Sequence, residues 1–308
     1  MKRSLALIAL FAALVLGARP AYAWDDFGHR LVARIAWENM TPQARARAIA
    51  VLHAAAPETG LRGSVTGTLS PRQQMELFVF AATWPDVVRD TAQAMRMEKY
   101  HHPTRHFVDT FWRQDTDFGP VQPSTLQPEG DLLRDTPRLQ RWLANGTAEE
   151  KALALAWLMH LVGDVHQPLH ASGRVTPLDP CGDQGGNAFK LETVDGRTRN
   201  LHSLWDGIIT TTLRRDGESP DAFLTRAFHE VTGHHPRSEF TAELGQHEFR
   251  QWAQASVAIA QRSVYRAPLV RNQAAPQAYR DAAFQAAEPR IALAGYRLAD
   301  MLNQALGH

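Results

Sequence analysis

The sequence predicts a mainly α-helical protein organised as a single domain. Three observations carry this expectation. Ser-Pro and Thr-Pro pairs mark helix starts, apolar residues recur at three- and four-residue spacing, and no repeat, low-complexity tract or linker divides the chain. Taken in order, Thr41-Pro42 opens a helix with a polar N-cap and proline in the first turn. Ser70-Pro71 repeats the device ahead of Met75, Leu77, Phe78 and Phe80, and this helix should stop by Trp84-Pro85. Thr147 begins a long helical pattern through Ala154, Trp157, Leu158 and Leu161 that should end near Pro168. Residues 218–232, 239–266 and 276–306 carry further helical spacing, and the apolar faces should pack together. Two stretches rich in proline and glycine, 113–130 and 171–199, read as loops. The second should hold a small hairpin from Phe189 to Arg199 around Asp195-Gly196.

The first 23 residues have another character. Lys2 and Arg3 precede an apolar run from Leu5 to Leu16, closed by Ala21-Tyr22-Ala23. This is the order of a cleavable export signal, and the run falls short of the ~20 residues a membrane-spanning helix needs. Cleavage after Ala23 would leave 285 of the 308 residues, with Trp24 first, in the periplasm or outside the cell. Losing Lys2, Arg3 and Arg19 turns the formal charge of +1 into −2. That balance argues against gripping duplex DNA by charge alone. The apolar content of 44% and charged content of 21% exclude a disordered or collagen-like chain. A single cysteine, Cys181, allows neither a disulfide framework nor a cysteine zinc site, so any metal must be held by nitrogen and oxygen.

Fourteen histidines make such a site plausible, and two of them stand out in helical pairs. In His160-Leu-Val-Gly-Asp164-Val-His166-Gln-Pro-Leu-His170, His160 and Asp164 are four apart and project from one helix face. His170 follows Pro168, where the chain must turn. His202 and Asp206 repeat the spacing of four. Imidazole nitrogen with carboxylate oxygen suits zinc, and carboxylates can bridge two ions. One isolated pair would read as capped or hydrogen-bonded surface residues. Two pairs plus His170, set among Leu161, Val162, Leu201 and Leu204, point to a buried metal site.

With these motifs the sequence resembles the zinc-dependent S1/P1 nucleases. The likeness runs from Trp24 through Asp206. It rests on Trp24 with His29 five residues on, Trp84-Pro-Asp86, His106-Phe-Val-Asp109, the His160/Asp164/His170 segment, Gly185-Gly186-Asn187, and His202/Asp206. The last hundred residues match only as generic helices. The resemblance implies the helical fold of the phospholipase C/nuclease type, with three Zn²⁺ ions in a cleft. One ion would take Asp86, His106, His160 and a shared Asp164. A second would take His170, His202 and Asp206. The third would take His29, Asp164 and the amine and carbonyl of Trp24. An α-amine, with a pKa near ~8, can release its proton to a metal, whereas a peptide nitrogen cannot.

The implied reaction is hydrolysis of single-stranded DNA and RNA to 5′-phosphorylated products by in-line attack of a metal-held hydroxide, with 3′-nucleotidase activity as a companion. By the same resemblance Asp109 orients the attacking water, Asn187 contacts the substrate phosphate, and Phe107 stacks on a base. Three dications against three ligand aspartates leave the cleft cationic, so no basic protein face is needed. A recessed cluster also favours a strand that can bend in. Two other readings stay open, a zinc-dependent phospholipase C and a non-catalytic zinc-binding protein. Against the first stand the Trp24–His29 spacing, Asp206 as final ligand, and Gly185-Gly186-Asn187; against the second stand Asp109 and Asn187. His166 reads as packed near the site, His101-His102 and His234-His235 as loop residues, and Cys181 as incidental. His53, His229, His247 and His308 have no partner that the sequence identifies, and the 113–130 loop has no counterpart in the family.

Overall fold

The computed structural model describes residues 24–63, 67–194 and 197–307. The export signal expected at 1–23, the turn expected at Asp195-Gly196, residues 64–66 and His308 lie outside them. The chain is mainly helical, as expected. It begins with α1 (Asp26–Asn39), α2 (Pro42–His53), α3 (Pro71–Val87) and α4 (Ala94–Tyr100). Strands β1 (Thr110–Arg113) and β2 (Gln122–Pro123) follow, then α5 (Leu132–Asn145) and α6 (Ala148–His166). Strands β3 (Ser172–Val175), β4 (Lys190–Val194) and β5 (Arg197–Asn200) come next. The chain ends with α7 (Leu201–Asp206), α8 (Ile208–Leu213), α9 (Pro220–His234), α10 (Thr241–Leu244), α11 (Phe249–Ile259) and α12 (Gln277–Leu306).

The helix starts read from sequence are present as physical devices. Thr41 accepts from the Ala44 amide at the head of α2. Ser70 with Gln73, and Thr147 with Glu150, form reciprocal capping boxes on α3 and α6. Helix α6 is apolar nearly all round and buried from Ala154 to His166, the signature of a central helix. It packs against α1, α2, α3, α5, α11 and α12, while α1 lies in turn on α3, α9 and α12. Among the described residues no helix is long and apolar enough to cross a membrane.

The expected boundaries need four corrections. Helix α3 runs through Trp84-Pro85 to Val87, because a proline so near the end removes only one N–H from the ladder. The 239–266 stretch is broken: α10 stops at Gly245, and α11 runs into a π-turn over Ala260–Val264. The two loops are also partly ordered as strands. β1 pairs antiparallel with β2 and parallel with β3, in register Thr110↔Ser172 to Arg113↔Val175. The hairpin β4–β5 is present, with Lys190 opposite Asn200. Finally, His234-His235 is not a free loop. His234 ends α9, and its Nδ1 lies 2.8 Å from Glu288 Oε1 on α12.

Candidate metal centre

Eight of the expected ligands gather in three groups: Asp86/His106/His160, His29/His160/Asp164 and His170/His202/Asp206. Within each, the candidate ligand atoms lie within 4.8 Å of one another. Six elements deliver them. Helix α6 supplies His160 and Asp164 one turn apart, α1 supplies His29, and the last turn of α3 supplies Asp86. The 3₁₀ turns Pro103–His106 and Pro168–His170 present His106 and His170, and α7 presents His202 and Asp206.

The surroundings aim these atoms inward. His160 Nδ1 donates to the Ala82 carbonyl at 2.8 Å, in the turn where Pro85 interrupts the α3 ladder. His170 Nδ1 donates to the His106 carbonyl at 2.8 Å, and His202 Nδ1 to the Gly185 carbonyl at 2.6 Å. With Nδ1 so engaged, each ring turns the lone pair of Nε2 into the site. His170 Nε2 and His202 Nε2 consequently face each other at 2.9 Å, two lone pairs that a cation would reconcile. Asp164 divides its oxygens: Oδ1 is 3.3 Å from His29 Nε2, and Oδ2 is 3.2 Å from His106 Nδ1 and 3.4 Å from His160 Nε2. Neither oxygen has a hydrogen-bond donor, nor does Asp206 Oδ2, whose Oδ1 is taken by Gln167 at 2.6 Å.

Buried polar atoms are ordinarily paired, so this concentration of orphans is informative. Burial, helped by neighbouring carboxylates, pushes Asp86 up to about 6 and Asp164 and Asp206 well above the carboxylate range. Burial likewise holds His29 and His106 far below 6.5 and His160 down to about 3. Neutral imidazoles are already in the form that binds metal, and divalent cations would supply the charge the carboxylates lack. The residues fit metal ions. No sulfur enters, since Cys181 is exposed.

Trp24 is fully buried beside the second group. A Cβ placed on Gly163 of α6 would come within 2.7 Å of His29 Nδ1 and 3.7 Å of Trp24 Cδ1, so ring, indole and helix meet there. The Asp25 amide donates to the Asp206 carbonyl at 3.0 Å, tying this end of the chain to α7.

A cavity of about 330 Å³ opens above His106, His170 and His202. Its walls include Arg89, His101, Phe107, Asp109, Glu129 and Gln184. Phe107 and Asp109 thus both face the space beside the three groups. Asp109 is buried, and burial with the charges of Asp183 and Glu129 pushes it up to about 8. Asn187 is not in that wall. Its Nδ2 donates to the Gln184 carbonyl at 2.8 Å, and Gln184 lines the cavity in its place. Sequence reading missed Arg89, which donates to Asp86 Oδ1 at 2.6 Å; its position three residues after Asp86 was the available signal. His101, expected in a loop, caps α4 at the cavity edge. His166 is packed, with Nδ1 on the Val162 carbonyl and Nε2 facing Arg297 at 2.9 Å. A larger cavity of about 630 Å³ between α1, α3 and α9 holds none of these residues.

Comparison with known proteins agrees with this geometry. The family model described as S1/P1 nuclease matches residues 24–307. Nuclease S1 of Aspergillus oryzae is 27% identical over 207 residues, covering 65% of this chain and 59% of its own length. Endonuclease 1 of Arabidopsis thaliana is 27% identical over 229 residues, 70% of this chain and 64% of that protein. The chain thus spans about three-fifths of the length of these two relatives. Nuclease P1 of Penicillium citrinum is 23% identical over 303 residues, 92% of this chain and 98% of that protein.

Proposed function

The chain belongs to the S1/P1 nuclease family, and on that premise we propose that it is a zinc-dependent hydrolase of single-stranded DNA and RNA. It releases 5′-phosphorylated products and removes 3′-phosphates from nucleotides. The observation that carries this reading is the set of buried nitrogen and oxygen atoms left without partners in three converging groups. Nitrogen and oxygen donors without sulfur suit zinc. Three Zn²⁺ ions would be held by Asp86, His106, His160 and Asp164; by His170, His202 and Asp206; and by His29, Asp164 and the amine and carbonyl of Trp24. When bound, zinc lowers the pKa of water and stabilises negative charge on phosphate oxygens.

The chain's own residues do the rest. Asp164, with its oxygens aimed at two groups, fixes the spacing between them. Asp109 holds the attacking water in line with phosphorus, Arg89 and Asn187 steady the phosphate, and Phe107 stacks on a base. Stacking on an aromatic ring is tolerant of sequence, because every base has a π-face. A cavity of about 330 Å³ accommodates one unstacked nucleotide and excludes a base pair held in a duplex. Residues 1–23 are removed during export to the periplasm or beyond, and residues 24–308 form the nuclease domain.

The test is metal analysis of the processed protein, followed by assays on denatured DNA, RNA, duplex DNA and a phosphatidylcholine emulsion, each with and without chelator. Zinc near three per chain and chelator-sensitive cutting of single strands are expected. Cleavage of the emulsion alone would hand the site to a phospholipase C. Zinc bound without turnover on any substrate would leave a metal-binding protein.

A further inference from the structure

Behind the His170/His202/Asp206 group, three consecutive residues adopt left-handed backbone: Gln184 (φ 55°), Gly185 (φ 58°) and Gly186 (φ 80°). Glutamine rarely accepts this conformation, so something must hold it. The Gly185 carbonyl at the centre of the turn is the one that receives His202 Nδ1–H. No side chain fits at Gly185, where a Cβ would lie 2.3 Å from the Leu169 carbonyl. The direction of that one carbonyl therefore decides which nitrogen of His202 faces the metal group.

Asp183 is the group that holds the turn. It is fully buried, and two donors from distant parts of the chain converge on its carboxylate. Tyr265 Oη–H donates at 2.6 Å and the Arg174 amide on β3 donates at 2.9 Å, while the Asp183 backbone carbonyl accepts the Ala188 amide across the turn at 3.0 Å. The Arg174 guanidinium, buried with it, lies 4.3 Å from the Tyr265 ring centre and 5.5 Å from that of Phe189. A carboxylate removed from water is costly, and burial raises the Asp183 pKa; the bonds from Tyr265 and the Arg174 amide and the charge of Arg174 offset part of that cost. Three segments are clamped at one point, and the Gly185 carbonyl is two residues from it.

We propose that Asp183 is a positioning residue for the His170/His202/Asp206 group: it fixes the 184–187 turn, so that the Gly185 carbonyl selects the His202 tautomer whose Nε2 lone pair faces the metal. The inference rests on the reading of that group as a metal site. A partner that orients a ligating histidine is generally worth 10–100-fold in metal affinity. Asp183 touches neither substrate nor metal.

The experiment uses the full processed chain with Asp183→Ala, Asp183→Asn and Tyr265→Phe. In Asp183→Ala, affinity for one of three zinc ions should fall roughly 10–100-fold, and kcat should fall with KM little changed. Asp183→Asn keeps a side-chain acceptor for the Arg174 amide or Tyr265 and should restore most of both. Tyr265→Phe keeps the ring over Arg174 while removing one donor, so it gives a smaller loss of the same kind and serves if Asp183→Ala does not fold. Nitrogen NMR of the metal-free chain reads the His202 tautomer directly: Nδ1–H in the wild type, mixed in Asp183→Ala and shifted the same way in Tyr265→Phe. An unchanged tautomer and unchanged zinc affinity in folded variants, with only thermal stability reduced, would overturn the proposal while leaving the nuclease reading intact. A shifted tautomer in a chain whose wild type takes up no metal would uphold the positioning and defeat the nuclease reading.

Discussion

At the scale of single residues, two buried side chains make opposite kinds of demand. Asp109 lines the cavity beside the metal groups, and its assigned work concerns the water rather than the ions. Asp109→Asn should retain the full complement of zinc yet lower kcat on the order of 10²–10⁴-fold, the usual worth of a positioned acid–base group. Loss of metal from that variant, measured by elemental analysis, would move Asp109 into the ligand set instead. His166, two residues beyond Asp164, concerns stability. Burial, with the charges of Arg290 and Arg297, holds its pKa far below 6.5, so the folded chain keeps it neutral. The unfolded chain takes up that proton once pH falls below about 6.5, and stability is lost on the acid side. The cost is about 1.4 kcal/mol per pH unit, so moving from pH 7 to pH 5 should remove about 2 kcal/mol through this residue. His166→Gln should be less acid-sensitive by about that amount in urea unfolding at the two pH values. Equal sensitivity in the two proteins would mean that the buried imidazole is protonated in the folded state.

At the scale of elements, α6 shows why a helix-weakening residue is retained. Glycine in a helix interior costs about 1 kcal/mol relative to alanine, so Gly163→Ala would ordinarily stabilise. Here the added methyl meets the His29 ring at 2.7 Å in a closely packed interior. We expect Gly163→Ala to be destabilising by about 1–3 kcal/mol and to lose the zinc of the His29/Asp164 group first. A more stable variant with all its zinc would show that His29 has room to move. The example also explains what could be read without coordinates. Helix starts were legible because Thr41, Ser70 and Thr147 act locally, through bonds to amides three residues on. His160 with Asp164, and His202 with Asp206, were legible because helix geometry fixes their relation. The β1–β3 pairing was not, since its strands are four residues long and their parallel partners Thr110 and Ser172 are 62 positions apart in the chain. That pairing brings Asp109 beside His170: the Val108 amide donates to the His170 carbonyl at 2.8 Å. Asn187 was expected to contact the substrate phosphate, but a motif gives order along the chain and not the direction of each side chain. The left-handed turn puts Gln184 in the cavity wall instead.

At the scale of the whole molecule, the metal groups lie where the principal helices converge, so binding and folding are coupled. Helices α1, α3 and α6 each end or pass through the cluster, and the Asp25–Asp206 bond closes the ring from α1 to α7. Both Asp164 oxygens, both His29 nitrogens and Asp206 Oδ2 have no hydrogen-bond partner in this centre, and unfolding releases them to water. Ions that bind only the folded chain add about 2.7 kcal/mol per site at free metal 100 times Kd, or about 8 kcal/mol for three sites. A domain of this size shifts its melting temperature by roughly 2 °C per kcal/mol, so chelation should lower it on the order of 15 °C. The start of the chain supplies an internal control. If the Trp24 amine is a ligand, a protein retaining a few residues before Trp24 binds two ions, and its chelator-induced shift should be about two-thirds as large. Its activity should fall as well, since Asp164 is shared between the lost site and its neighbour. Calorimetry of the processed and extended proteins, each with and without chelator, measures both quantities together. Equal shifts would remove the amine from the ligand set, and no shift in either protein would mean that these converging side chains hold no ion.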